Sequence, residues 1–329
     1  MRIGIIGLGK MGWPIAENIY HFLQNNKFRI NNEVLDSIIV YDIDNSIVNK
    51  FIEHHPGSVA AKNLEELGGE SYLVWLMIPS SEVYDTLINS GLLRGMKKGI
   101  IIDGGNSDPR VSLELSKLLR KRNIRFMDIG CSGGPERAKK AELTLMVGGS
   151  KEDYEKIKPI LKALGKPYYV GPTGMGHLVK MLHNVLEYII MGGIGEIYML
   201  LRFLSQKLIS KEIDVVRAMK AINDGLAGSK LLKLAIEILE LNSSIEKIAP
   251  YVAGGKQAEW TIDMAREIPT IFTDLALLQR KISRDEDYSD ELNKLIRDIE
   301  KLKEKPLGMF EIQALLREKF GGHEVKYRT

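Results

Sequence analysis

Up to about residue 170, short runs of β-branched and aliphatic residues alternate with longer stretches of helical period. The runs are RIGIIG near the start, IIVYD (38–42), YLVWLMIP (72–79), GIIIDGG (99–105), IRFMDIG (124–130) and LTLMVGG (143–149). Each is apolar at consecutive positions, as a strand covered on both faces must be. Strands alternating with helices imply a mainly parallel sheet with helices on both sides. After GPTGMG (171–176) the pattern turns helical, over 174–209, 211–225, 228–240, 257–268, 269–283 and a charged stretch from about 285 to 318. The expected class is α/β: a doubly wound sheet over 1–172, then an all-helical C-terminal domain over 173–329. Within the charged stretch, DEDYSDELNKLIRDIEKLKEK (285–305) reads as a solvated helix.

A chain of 329 residues is long enough for two cores. Its 44% hydrophobic and 27% charged residues are ordinary globular values. A net charge of +3 argues for neither a nucleic-acid partner nor a polybasic membrane anchor. The single cysteine, Cys131, excludes an intrachain disulfide and reads as a small buried residue rather than a reactive thiol. MRIGIIGLGKMG lacks the pattern of a signal peptide, and no uninterrupted apolar run reaches the roughly 20 residues of a membrane span. The expectation is a cytoplasmic protein with no membrane segment.

The first run leads into the loop Gly7-Leu8-Gly9-Lys10-Met11-Gly12, a G-x-G-x-x-G between a strand and a helix. Such glycines permit a tight turn and close backbone approach, and the helix N-terminus faces a pyrophosphate. This is the mark of a Rossmann-type dinucleotide-binding domain. The next run ends in Asp42, suited to accept hydrogen bonds from both ribose hydroxyls of NAD. No Arg follows it in DIDNS to receive a 2′-phosphate, so NAD is expected over NADP. The gap from Gly12 to Asp42 exceeds the usual roughly 20 residues, which predicts an extra loop around 24–36. Ligands bind outside the carboxyl ends of parallel strands. Ile78–Pro79, Asp103-Gly-Gly-Asn106-Ser107 and Cys131-Ser132-Gly133-Gly134 all stand at such ends. Asn106 offers both a donor and an acceptor, and Ser132 with the amides after it can cradle a carboxylate.

The stretch HLVKMLHNVLEYI (177–189) carries Lys180, His183, Asn184 and Glu187 within an arc of roughly 100° at helical rotation, with His177 at its edge. Leu178, Met181, Leu182, Val185, Leu186 and Ile189 fill the other directions. A narrow polar stripe on an otherwise apolar helix predicts protein packing on most sides and a cleft along the stripe.

GLGKMG, DGGNS, CSGG, GMGHLVKMLHNVLEY and a terminal FGGH, in that order, make the chain resemble the 6-phosphogluconate dehydrogenases of the β-hydroxyacid dehydrogenase superfamily. The likeness spans nearly the whole chain and its length is similar to the short form. The resemblance implies NAD-dependent oxidative decarboxylation of 6-phosphogluconate to ribulose 5-phosphate and carbon dioxide. It implies Lys180 as general base and acid, Glu187 as second acid, and His183 and Asn184 as substrate ligands. Asn106 would touch cofactor and sugar, and Ser132, Gly133 and Gly134 the carboxylate end. Tyr188, Arg280 and Arg317 would match phosphate ligands, with His323 beside them. It further implies a homodimer whose C-terminal tail reaches the partner's active site, and no metal.

The residues suit that chemistry. Oxidising a 3-hydroxy acid by hydride transfer needs a base for the hydroxyl proton, and desolvation in a closed cleft shifts a lysine toward neutrality. The β-keto acid formed loses carbon dioxide when the same lysine, now protonated, polarises the carbonyl. A second acid must then protonate the carbon that lost its carboxylate. Glu187 stands about two helical turns, roughly 10 Å, from Lys180.

The chain also departs from the family pattern. In QAEWT (257–261), Glu259 replaces the Lys or Arg that family members usually carry before Trp-Thr, with Lys256 close in sequence. PERAKKAELTLMVGG after Gly134 is spaced more like hydroxyisobutyrate-type members. Val185 replaces the glycine that usually follows His-Asn, projecting away from the polar stripe. Val185 reads as helix packing; Glu259 and the PERAKKAELT segment favour an alternative, a dehydrogenase of a smaller or unphosphorylated β-hydroxy acid.

Overall fold

The computed structural model describes residues 1–241, 248–252, 316 and 325–327, with Tyr188, 248–252 and 325–327 described in their backbone only. The chain forms two compact units, Met1–Leu182 and His183–Thr329.

The first unit begins with β1 (Arg2–Ile6), α1 (Gly12–Asn25), β2 (Phe28–Ile30), β3 (Glu33–Leu35), β4 (Ile38–Tyr41), α2 (Asn45–His54) and β5 (Val59–Ala60). It continues through α3 (Leu64–Glu70), β6 (Ser71–Leu76), α4 (Ser80–Ile88), α5 (Leu92–Gly95), β7 (Gly99–Asp103) and α6 (Pro109–Arg120). Then come β8 (Ile124–Ser132), α7 (Gly134–Lys139), β9 (Leu143–Gly148), α8 (Lys151–Leu164) and β10 (Gly165–Gly171). Eight strands form one sheet in the order β10-β9-β8-β7-β6-β1-β4-β5. All neighbours are parallel except β8 and β9. This is the expected Rossmann-type arrangement. The chain runs outward from β1 through β4, then crosses to β6, so the crevice at the carboxyl ends opens beside β1.

Alternation along the strands explains why both sheet faces need helices. Ile3, Ile5, Val40, Trp75, Ile100 and Ile102 join one buried cluster with Ile15, Ile19 and Leu23 of α1 and Ile157 and Leu161 of α8. Their neighbours Ile39, Val74, Leu76 and Ile101 enter the opposite cluster with residues of α3, α4 and α6. Side chains alternate faces with a period of two, so an uninterrupted apolar run supplies both. Helix starts are capped locally: Asp44, Asn63, Asp108 and Ser150 each accept a hydrogen bond from a backbone amide of the first turn.

In the first unit the sequence reading missed the short β5, the hairpin β2–β3 and β10. The stretch expected as a loop holds the hairpin β2–β3, with Asn31 at φ 54° and Phe28, Ile30 and Leu35 buried. β10 contains Lys166 and Pro167 and lacks a continuous apolar run; it lies at the sheet edge, where a proline costs no ladder bond on its open side.

Helix α9 (Met175–Leu204) leaves the first unit and enters the second, followed by a π-helical turn (Ser205–Ile209), α10 (Val215–Asp224) and α11 (Lys230–Leu241). In the second unit Met191, Ile194 and Tyr198 of α9 pack with Met219, Leu232, Ala235, Ile236 and Leu316. The domain is helical as expected, with one addition: β11 (Ile248–Val252) and β12 (Val325–Tyr327) pair antiparallel. The helices expected over 257–268, 269–283 and 285–318 lie outside the described residues, Leu316 excepted.

Two expectations about α9 are corrected. Leu182, Leu186 and Ile190 are 53%, 58% and 39% exposed, so among the described residues the sides flanking the polar stripe are not all covered. The helical stretch Met175–Ile209 is also long and apolar enough to cross a membrane, the one such helix among the described residues. Counting apolar runs missed it because Lys180, Glu187, Glu196, Arg202 and Lys207 interrupt the stretch. Glu196, Tyr198 and Met199 are all buried.

Candidate active site

At the sheet's carboxyl edge the glycine loop is shaped by close approach. A Cβ on Gly12 would sit 2.0 Å from the Gly7 carbonyl oxygen, and one on Gly7, at φ +94°, would sit 2.4 Å from that of Met77. A Cβ on Gly9 would meet nothing within 4 Å, so the loop opens outward at its middle glycine. No side chain caps α1. Its first-turn amides and open loop suit a pyrophosphate, and the residues therefore fit a dinucleotide. Leu8 is buried, Met11 half-buried, and Lys10 exposed.

Asp42 closes the far side of this loop. One carboxylate oxygen accepts from the Leu8 amide at 2.6 Å and the other from the Asp44 amide at 3.0 Å. Each oxygen keeps a further lone pair for a ribose hydroxyl. Ile78 is half-buried and Pro79 exposed at the end of β6, where Pro79 opens α4.

After β7, the buried Asp103 organises the turn. Its carboxylate accepts from the Gly105 amide at 3.0 Å and the Ser107 hydroxyl at 2.6 Å. The turn is thereby held inward at Gly105 and Ser107, and Asn106 between them is exposed at the crevice edge.

The N-terminus of α9 is held by a second buried carboxylate. Asp128 of β8, fully buried, accepts from the Gly174 amide at 2.7 Å and the His177 amide at 2.8 Å. His177 is buried too, its Nδ1 2.8 Å from the Ser112 hydroxyl of α6. This grip lays α9 directly on β8: a Cβ on Gly130 would sit 2.3 Å from the Cβ of Lys180. Lys180 is consequently 9% exposed, its stem against Gly130 of β8. Ser132, Gly133 and Gly134 follow Cys131 as half-buried residues.

Burial pushes the Cys131 thiol up to about 12; the Lys180 ammonium pulls it down and the Asp103 carboxylate pushes it up, both more weakly. A raised thiol pKa means the neutral form persists at physiological pH. Iodoacetamide at pH 8 should therefore alkylate Cys131 on the order of a thousandfold more slowly than an ordinary cysteine of pKa about 8.5. Labelling at the rate of free cysteine would contradict this environment.

In the second unit, His183, Asn184 and Glu187 follow along α9, all partly buried. His183 Nδ1 lies 3.8 Å from Glu187 Oε2 and 3.4 Å from Asn184 Oδ1. Arg280, Arg317 and His323, with Lys256 and Glu259, lie outside the described residues.

Asp103 and Asp128 are the site residues to which sequence reasoning assigned no role. Their signal was an acid inside or ending an apolar strand run, IIID and FMDIG, because a buried charge must be satisfied.

Fold and loop together define a dinucleotide-binding dehydrogenase. Residues 2–174 match the family model for the NAD binding domain of 6-phosphogluconate dehydrogenase, and residues 176–318 match that for its C-terminal domain. The chain belongs to the 6-phosphogluconate dehydrogenase family of β-hydroxyacid dehydrogenases. It is 32% identical over 190 residues to 2-(hydroxymethyl)glutarate dehydrogenase of Eubacterium barkeri, covering 56% of this chain and 58% of that protein. It is 28% identical over 291 residues to the NAD(+)-dependent, decarboxylating 6-phosphogluconate dehydrogenase of Haloferax volcanii, covering 84% and 89%. Its fold is similar to the crystallised Plasmodium falciparum 6-phosphogluconate dehydrogenase, with a TM-score of 0.64 and 24% identity over 97% of this chain and 74% of that one.

Proposed function

We propose that this oxidoreductase carries out the NAD-dependent oxidative decarboxylation of 6-phosphogluconate, with Lys180 as general base. The observation that supports this reading most is the clamped position of Lys180, under Gly130 and next to the 131–134 turn. The glycine loop, the N-terminus of α1 and Asp42 would hold the dinucleotide, which when bound would supply the hydride acceptor. Lys180 takes the C3 hydroxyl proton as the hydride leaves C3. Its ammonium then donates to the C3 carbonyl oxygen as the C1–C2 bond breaks and carbon dioxide departs. Glu187 delivers a proton to C2 of the enediol while the C3 hydroxyl returns its proton to Lys180, giving ribulose 5-phosphate with its carbonyl at the substrate's C3. Asn106 orients the sugar against the cofactor, and Ser132, Gly133 and Gly134 hold its carboxylate. His183 and Asn184 bind the hydroxyls, with Tyr188, Arg280, Arg317 and His323 toward the phosphate.

A second reading, a smaller or unphosphorylated β-hydroxy acid, is favoured by Glu259 and by the similarity to the E. barkeri enzyme. A panel of 6-phosphogluconate, gluconate and 3-hydroxyisobutyrate, assayed with NAD and NADP, separates them. The first reading expects the highest kcat/KM for 6-phosphogluconate. Turnover of an unphosphorylated acid at higher kcat/KM would replace it with the second.

The Asp42 carboxylate also supports NAD over NADP, since a 2′-phosphate would bring a second anion against it. We expect a preference of at least about tenfold in kcat/KM, worth about 1.4 kcal/mol, and Asp42→Ser should shrink the NAD/NADP ratio. An unchanged ratio would remove Asp42 from cofactor choice.

The exposed Leu182, Leu186 and Ile190 support a homodimer. Sedimentation equilibrium should then return twice the 37.0 kDa chain mass; a monomer at micromolar concentration would refute it.

A further inference from the structure

On the outer side of the dinucleotide half, α1 and the end of α2 bring Glu17, His21 and His55 together. Glu17 and His21 are four residues apart on α1 and so share a face. His55 is the residue that closes α2. One ligand atom from each lies within 4.8 Å of the other two, the one such group among the described residues. His55 is buried, its ring stacked on Phe51 with centroids 4.1 Å apart and edge-on to Trp13, Tyr20 and His21. Its orientation is thus fixed by packing.

The hydrogen bonds then fix its tautomer. His55 Nδ1 lies 2.8 Å from the Phe51 carbonyl oxygen, which only accepts, so Nδ1 carries the hydrogen. Nε2 points at Glu17 Oε1, 3.3 Å away. A neutral ring of this tautomer sets one lone pair against another, and only a cation or a second proton reconciles them. A spacing near 3.3 Å is also the edge of a tetrahedron with metal–ligand bonds of about 2.0 Å. The Phe51 carbonyl is the outer partner that metal-bound histidines commonly have.

We propose that Glu17, His21 and His55 bind a divalent transition ion of the zinc type, with water completing a tetrahedron. The ion joins the helix after the glycine loop to the helix after Asp42, stapling the two supports of the dinucleotide crevice. The sequence reading expected no metal; the Glu17–His21 pair and His55 stand far apart in the chain, and α1 and α2 bring them together. The site is independent of which hydroxy acid the enzyme oxidises.

The test is calorimetric titration of the untagged, EDTA-stripped full-length protein with zinc chloride, without dinucleotide. One saturable equivalent per chain is expected, together with a rise in Tm, since the ion binds the folded state. Glu17→Gln and His21→Ala, neither of them buried, should each weaken zinc at least about tenfold while leaving the Tm of the metal-free protein close to wild type. Absence of a saturable site would overturn the proposal. Binding untouched by both variants would overturn it as well, placing the zinc on other histidines.

Discussion

Lys180→Met is expected to lower kcat by roughly 10²–10⁴-fold, the range a positioned general base supplies, while dinucleotide affinity stays near wild type. Methionine keeps the unbranched stem whose Cβ and Cγ lie close under Gly130, so packing against β8 survives and only the proton-transfer group is lost. The glycine loop and Asp42 are untouched, and NADH binding followed by fluorescence provides the control. The effect should fall on kcat, because the lysine's interaction strengthens as the hydroxyl proton moves. A variant keeping more than a tenth of wild-type kcat would remove Lys180 from the chemistry.

Asp128→Ala should cost about 3 kcal/mol of stability, because it strands two buried backbone amides. Those amides belong to the turn and first residues leading into Lys180, so the substitution also loosens the base. Assayed well below its lowered melting temperature, the variant should retain dinucleotide affinity and lose kcat. Asp128→Asn, with one acceptor oxygen left, should recover part of both. Loss of stability with kcat unchanged would make Asp128 a fold residue only.

Some of the site was readable because its chemistry is local in the chain. Gly7, Gly9 and Gly12 stand in one loop, Asn106 in one turn, and Lys180 through Glu187 on one helix, so spacing alone groups them. Asp128 was not readable in its role, since the amides it holds are 46 and 49 residues away. The Gly130–Lys180 contact likewise crosses from a strand to a helix that no local pattern connects. In the fold, the central strands announced themselves by unbroken apolar runs. β10 did not, because an edge strand needs fewer apolar residues and tolerates Pro167. The exposure of Leu182 and Leu186 was hidden for another reason: helical periodicity shows which residues share a face, and not what covers that face.

The central claim is that a lysine clamped beneath β8 first takes a proton from, and then returns it to, a sugar acid that loses its carboxyl group. The most direct measurement is the ratio of carbon dioxide released to NADH formed from 6-phosphogluconate, counted in one reaction with carboxyl-labelled substrate. The account predicts one to one. NADH accumulating without labelled carbon dioxide would contradict it.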